Sequence, residues 1–125
     1  SKLTQISIPS SVNSFGFHIF DGIKTLKIIG DIKHIPNKLF AECSSLIKIK
    51  IPSSVKSIGD YSFSKCSKLA RITIPSFVTL IGNRAFEGCS SLTEITIPSY
   101  VESIGNNSFE GCSSLKQIIF KIPFP

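Results

Sequence analysis

A spacing of 23 residues runs through this sequence and restricts what it can fold into. Ile51, Pro52, Val55, Ile58, Gly59, Phe63 and Cys66 return as Ile74, Pro75, Val78, Ile81, Gly82, Phe86 and Cys89. They return again as Ile97, Pro98, Val101, Ile104, Gly105, Phe109 and Cys112, with Leu46, Leu69, Leu92 and Leu115 in step. A unit this short cannot enclose its own apolar side chains, so successive units must stack and share one continuous core. The 125 residues form a single domain, 1–125, of about five such units.

Each unit divides into three pieces. Leu-x-x-Ile-x-Ile, as in Leu92 to Ile97, ends in the alternation of a half-buried strand. Proline at 9, 52, 75 and 98 closes that strand because it has no N–H to donate. Val-x-x-Ile-Gly then runs extended to a glycine suited to a sharp turn. The Phe-x-x-Cys piece is too short for an independent helix and reads as one helical or 3₁₀ turn with its ring inward. The core columns are therefore Leu3, 26, 46, 69, 92 and 115 and Phe20, 40, 63, 86 and 109. The second unit is three residues short, and Ile29-Gly30-Asp31-Ile32 stands where the others carry the Pro-Ser turn. The deletion is placed there, with later apolar positions kept in register.

The string Ile-Pro-Ser-x-Val-x-x-Ile-Gly-x-x-x-Phe-x-x-Cys-Ser-Ser-Leu resembles the leucine-rich repeats of the Treponema pallidum type found in BspA-like surface antigens. The likeness runs from Leu3 to about Phe120; Ile23 in a Cys slot and Phe15 in an Ile slot depart from it. It implies a right-handed leucine-rich repeat solenoid with a parallel sheet on its concave face. It also implies protein binding, often adhesion to host or matrix proteins, at the cell surface or after secretion. An intracellular scaffold or adaptor on the same fold is the alternative, since no leader peptide is visible at Ser1 to Gln5. Fold likeness alone does not establish either role.

The motifs of chemistry are missing. Cys43, Cys66, Cys89 and Cys112 share one repeat position and so form a straight column, which cannot surround a tetrahedral metal. Their Cβ atoms, one strand spacing apart at about 5 Å, lie beyond the usual disulfide separation. Buried free thiols are the reading. His18 and His34 fall at different repeat positions, away from any nucleophile at a recognised spacing, and no phosphate loop or His-metal motif appears. No catalytic, cofactor-binding or metal-binding residue is assigned. No run approaches the ~20 apolar residues that would span a bilayer. Asn106-Asn107-Ser108 is a glycosylation acceptor by sequence, but Asp60 and Asn83 at the equivalent position favour an Asx turn.

The net charge is +6, and it is uneven. Residues 1–72 carry +7, whereas the remainder carries −1. An acidic partner is favoured on the first half. Nucleic acid is disfavoured, because aromatic residues do not interleave with the lysines and no groove-reading helix is present.

Alternation names the outward-facing sheet residues. One column is Gln5, Ile28, Lys48, Arg71, Glu94 and Gln117; the next is Ser7, Gly30, Lys50, Thr73, Thr96 and Ile119. Lys48, Lys50, Arg71, Thr73, Glu94 and Thr96 are the candidate protein-binding face. Phe77 and Tyr100, both just after Pro-Ser, are a candidate apolar edge. The first strand, near Leu3 to Ile8, offers an uncapped N-terminal edge through which two copies are expected to pair. Pro123 and Pro125 are expected to block the other end.

Overall fold

The computed structural model describes residues 4–8 and 20–122. Leu3, Pro9, Phe15, His18, Pro123 and Pro125, all used in the readings above, lie outside them. The chain winds as a parallel β-solenoid of about five turns with a spacing of about 23 residues. Among the described residues, ten short strands lie on two walls, alternating from the second strand onward. They are β1 (Thr4–Ser7), β2 (Thr25–Ile29), β3 (His34–Ile35), β4 (Lys48–Lys50), β5 (Ser57–Ile58), β6 (Arg71–Ile72), β7 (Leu80–Ile81), β8 (Glu94–Ile97), β9 (Ser103–Ile104) and β10 (Gln117–Phe120). The first wall carries β1-β2-β4-β6, followed by the separate pair β8-β10. The second wall is β3-β5-β7-β9.

The second wall was read from sequence only as extended chain. It is a parallel sheet whose Ile35, Ile58, Ile81 and Ile104 align one above another. The core lies between the walls. Leu26, Leu46, Leu69 and Leu92 are buried, as are Phe40, Phe63 and Phe86. The phenylalanine rings lie with centroids 5.1 to 5.7 Å apart from Phe20 to Phe109, the Phe20–Phe40 pair tilted and the others stacked. This one column runs through every turn, and its spacing is that of favourable ring pairs.

No helix occurs among the described residues; hydrogen-bonded turns replace the expected helical or 3₁₀ turn. The backbone gives the reason. Lys38, Tyr61, Arg84 and Asn107 all have φ between 54° and 64°, and Glu42, Lys65, Gly88 and Gly111 repeat this four residues later. Two left-handed residues thus bracket Phe40, Phe63, Phe86 and Phe109, and a right-handed helix cannot pass through them. The glycine after each Ile has a different role from the sharp turn expected of it. A Cβ on Gly82 would lie 2.5 Å from Asp60 Oδ1 and 2.6 Å from Asp60 N. Close approach of the neighbouring turn, not a positive φ, requires glycine there.

That approach carries an Asx ladder. Asn37 Oδ1 accepts from Asp60 N, Asp60 Oδ1 from Asn83 N, and Asn83 Oδ1 from Asn106 N, at 2.8 to 2.9 Å. The Asx residues therefore bond from turn to turn, not within their own turn.

Register in the second unit differs from the sequence reading. Thr25 pairs with Lys48, Leu26 with Ile49 and Lys27 with Lys50. The shortening therefore falls before the strand, near Ile23 and Lys24, and not in the Pro-Ser turn. Leu26 and Ile28 are buried and fix this register, since a slip of one residue would expose both. Ile28 and Gly30 accordingly leave the outward columns, and Thr25 and Lys27 take their places.

Candidate functional site

The first wall shows its outward residues in rows. Lys48 on β4 is the register partner of Arg71 on β6, and Lys27 on β2 is the partner of Lys50. Lys48, Lys50 and Arg71 are exposed. None of these four cations has an ion-pair partner among the described residues. The structure thus brings together three of the predicted residues and adds Lys27, which the misplaced deletion had hidden. Parallel strands stand about 4.8 Å apart, so like charges in adjacent rows raise the local potential.

Between β6 and β8 the strand ladder is interrupted. On either side the turns are joined: Ala70 N donates to Ile47 O at 3.0 Å, and Lys116 N to Thr93 O at 2.8 Å. No strand bridge links Arg71–Ile72 to Glu94–Ile97. A shallow groove of about 790 Å³ lies over the interruption. Residues Ala70 to Ser76 line one side of it. Thr93, Glu94, Thr96 and Pro98 form the opposite side, and Lys121 adds a cation. Pro75 and Pro98 cannot donate, so no ladder can close the interruption at their end. Arg71, Thr73, Glu94 and Thr96 of the predicted face thus line this groove, while Lys48 and Lys50 flank it on β4.

Phe77 and Tyr100 stack with ring centroids 6.0 Å apart and planes 18° apart. They are 56 % and 59 % exposed, so they do not fold over the turn as extra core.

The cysteine column is a hydrogen-bonded one. Cys66, Cys89 and Cys112 each donate from Sγ to the carbonyl of the Phe one turn back: Phe40, Phe63 and Phe86, at 3.0 to 3.2 Å. Hydrogen bonding with Cys43 and burial both hold the proton on Cys66. Burial pushes Cys89 up to about 12, and raises Cys112 as well. Cys112 is only half-buried, unlike the others.

One polar contact escaped the sequence reading. His34 Nδ1 lies 2.5 Å from Ser57 Oγ, because β3 and β5 are register neighbours. The shared spacing of 23 was the signal that could have found it. Both residues stand on the water-exposed side of the second wall.

Residues 33–123 match the family model described as BspA type Leucine rich repeat region (6 copies). The chain belongs to the BspA-type leucine-rich repeat family. Among solved structures, this BspA-type chain is similar to a leucine rich cell surface protein from Faecalibacterium prausnitzii (30 % identity, TM-score 0.78) over 94 % of its own length and 32 % of that chain. It is similar to a leucine-rich repeat protein from Bacteroides ovatus (32 % identity, TM-score 0.75) over 92 % of its length and 36 % of that chain. It also resembles a T. pallidum leucine rich repeat protein (26 % identity, TM-score 0.76) over 91 % of its length and 57 % of that chain. The BspA-type chain thus spans about a third of the first two relatives and little more than half of the third. No curated protein matches it significantly. The family is one of repeat modules that serve protein interaction, generally without catalysis. No helix among the described residues is long and apolar enough to cross a membrane.

Proposed function

We propose that this chain is a non-catalytic recognition module that binds an acidic surface of a protein partner, in the setting of a cell surface or its secretions. The basic rows Lys27–Lys50 and Lys48–Arg71 are its contact, with Thr73, Glu94 and Thr96 at their border. Phe77 and Tyr100 add an exposed apolar anchor at the edge. The observation that carries this reading is the set of four cations on adjacent strands with no ion-pair partner among the described residues. A face that needed only solubility would intersperse both signs. The surface setting is supported by the printed description of the F. prausnitzii relative as a cell surface protein.

The test is a Lys48→Glu, Lys50→Glu, Arg71→Glu triple variant against a panel of purified matrix and host-surface proteins. The side chains are solvated, so the variant should melt like the parent. Association with any panel member that binds the parent should slow at low salt, and its salt dependence should flatten. Equal association rates for parent and variant at low salt would place the site elsewhere.

A further inference from the structure

The shallow groove over the β6–β8 interruption has a chemistry of its own, distinct from the basic rows beside it. We infer that it is a saccharide-binding site whose ligand is a sugar bearing a carboxylate, with the Phe77 and Tyr100 rings taking the apolar face of a neighbouring sugar. This goes beyond the protein-recognition reading. It shares that reading's border residues and Arg71, but not the Lys27, Lys48 and Lys50 cations.

Shape comes first. β6 and β8 remain close neighbours, and Ile74, Ile95 and Ile97 behind them are buried. Nothing enters the core there, so a ligand lies on the sheet. A site with no enclosed apolar cavity offers little to an apolar ligand, whose binding depends on area removed from water. It suits a flat, water-soluble ligand held through several hydrogen bonds. Thr73 and Thr96 each present a hydroxyl that donates and accepts, Glu94 accepts, and Arg71 and Lys121 donate. Arg71 and Glu94 hold one repeat position a turn apart, yet make no ion pair with each other or with another described residue. Both keep their hydrogen-bonding capacity for a ligand lying across them. Neighbouring hydroxyls of a sugar ring match the pair, one donating to the carboxylate while the next accepts from the guanidinium.

Charge narrows the class. Two cations, Arg71 and Lys121, stand in the groove against the single carboxylate of Glu94. One negative charge on the ligand balances the excess, and the planar guanidinium takes a carboxylate through two parallel hydrogen bonds. A dianionic phosphate would bring more charge than the excess balances, with Glu94 repelling it.

The rings complete the site. Phe77 follows Ser76, and Tyr100 lies two residues past Pro98, so both stand at the end of the groove. They are parallel within 18° and more than half exposed. Ser54 holds their repeat position one turn earlier and donates its hydroxyl to Ile32 O, so it does not cover the other face of Phe77. An aromatic face carries negative charge and attracts polarised C–H groups. The apolar side of a sugar ring is such a surface.

The probes are sialyllactose and a hyaluronan tetrasaccharide, which carry the carboxylate on a sialic and on a uronic acid, with lactose as the neutral control. Each is titrated at millimolar concentration into the isotope-labelled chain, and backbone amide shifts are followed by NMR. At least one acidic probe should give saturable shifts at Thr73, Glu94, Thr96 and Tyr100, and the one that does identifies the source of the carboxylate. Lactose should bind about tenfold more weakly. Arg71→Gln should bring the acidic probe down to the lactose level. Glu94→Gln should weaken both by about tenfold. A Phe77→Leu, Tyr100→Leu variant keeps apolar bulk without the aromatic faces and should also weaken both. Lys50→Gln, outside the groove, should leave binding unchanged. These residues are exposed, and an amide spectrum unchanged away from the groove verifies the fold of each variant. Lactose binding as well as the acidic probes, or no saturable shift with either acidic probe, would overturn the proposal. So would shifts centred on Lys27, Lys48 and Lys50, which would mean adsorption to the basic rows. In each of these cases protein association that depends on Lys48, Lys50 and Arg71 would leave the recognition reading standing, so the two fail separately.

Discussion

Cys89 Sγ donates to the carbonyl oxygen of Phe63, 26 residues earlier, at 3.2 Å. The same carbonyl accepts the backbone N–H of Cys66. A thiol in this slot is therefore more than a small apolar filler, because it gives the Phe carbonyl a second donor inside the core. Thiol reagents react with the thiolate, and here burial and the hydrogen bond keep the proton in place. In native buffer Cys112, half-exposed, should be modified first, with Cys66 and Cys89 reacting only in denaturant. Mass spectrometry of the labelled chain reads this directly; prompt native labelling of Cys89 would contradict the assignment.

The same column gives a dependence on pH. Cys89 is raised to about 12 in the folded chain, against about 8.5 for an ordinary thiol. Between those values the unfolded chain has lost the proton while the folded chain keeps it. Its contribution to stability is therefore complete below about pH 8.5 and falls as pH rises toward 12. Denaturation curves of the parent should weaken across that window more steeply than those of Cys89→Ala. Parallel slopes for the two would show that the thiol does not contribute.

Phe86 is buried between Phe63 at 5.4 Å and Phe109 at 5.7 Å. Phe86→Ala should cost about 3–5 kcal/mol, since the stacked rings above and below cannot collapse into the space. Chemical denaturation followed by circular dichroism measures it. A variant within ~1 kcal/mol of the parent would mean that the ring column is not the core.

Much of this was legible because the spacing of 23 acts on every position at once. Leu46, Phe63 and Cys66 each declare the same column in turn after turn, so the repeats average out local ambiguity. Where only one copy of a feature exists, less is legible. The second unit has a single deletion with two placements, and only the burial of Leu26 and Ile28 decides between them. That choice hid Lys27 from the basic face. The left-handed residues were hidden differently: Lys38, Tyr61 and Arg84 are not residue types that advertise positive φ, so the turn read as helical. The interrupted ladder between β6 and β8 had no sequence mark, because Arg71 to Ile74 alternates like the strands around it. On β10 and just after it, Ile118, Phe120 and Ile122 are 39 %, 63 % and 85 % exposed.

Ser62 offers a stabilising change. Its Oγ is buried without a hydrogen-bond partner among the described residues. Ser108, at the same repeat position, donates toward the carbonyls of Gly82 and Gly105. Ala85 and Leu39 fill the position in other turns with no polar atom and are buried. Ser62→Ala removes an unpaired buried hydroxyl and should gain about 1 kcal/mol. For a domain of this size that raises Tm by a few degrees. A lowered Tm would show that the hydroxyl has a partner.

Two glycines should separate space from conformation. Gly88 has φ +72°, and a Cβ there would meet Lys65 atoms no closer than 3.4 Å. Lys65 holds the equivalent position one turn earlier at φ 62°. An L-residue is thus accommodated in that conformation, and Gly88→Asn should cost no more than about 1 kcal/mol. Gly82 is the reverse. Its backbone is not left-handed, yet an added Cβ would sit 2.6 Å from Asp60 N and 2.7 Å from Gly59 C. Those are backbone atoms that cannot swing aside without breaking the Asp60–Asn83 bond of the ladder. Gly82→Ala should therefore cost about 1–3 kcal/mol, as overpacking does, plus the lost hydrogen bond. Thermal melts of the two variants side by side should rank Gly82→Ala well below Gly88→Asn. The opposite ranking would mean that the turns are spaced widely enough at Gly82 to admit a methyl group, and that the Asx ladder does not set the pitch of the solenoid.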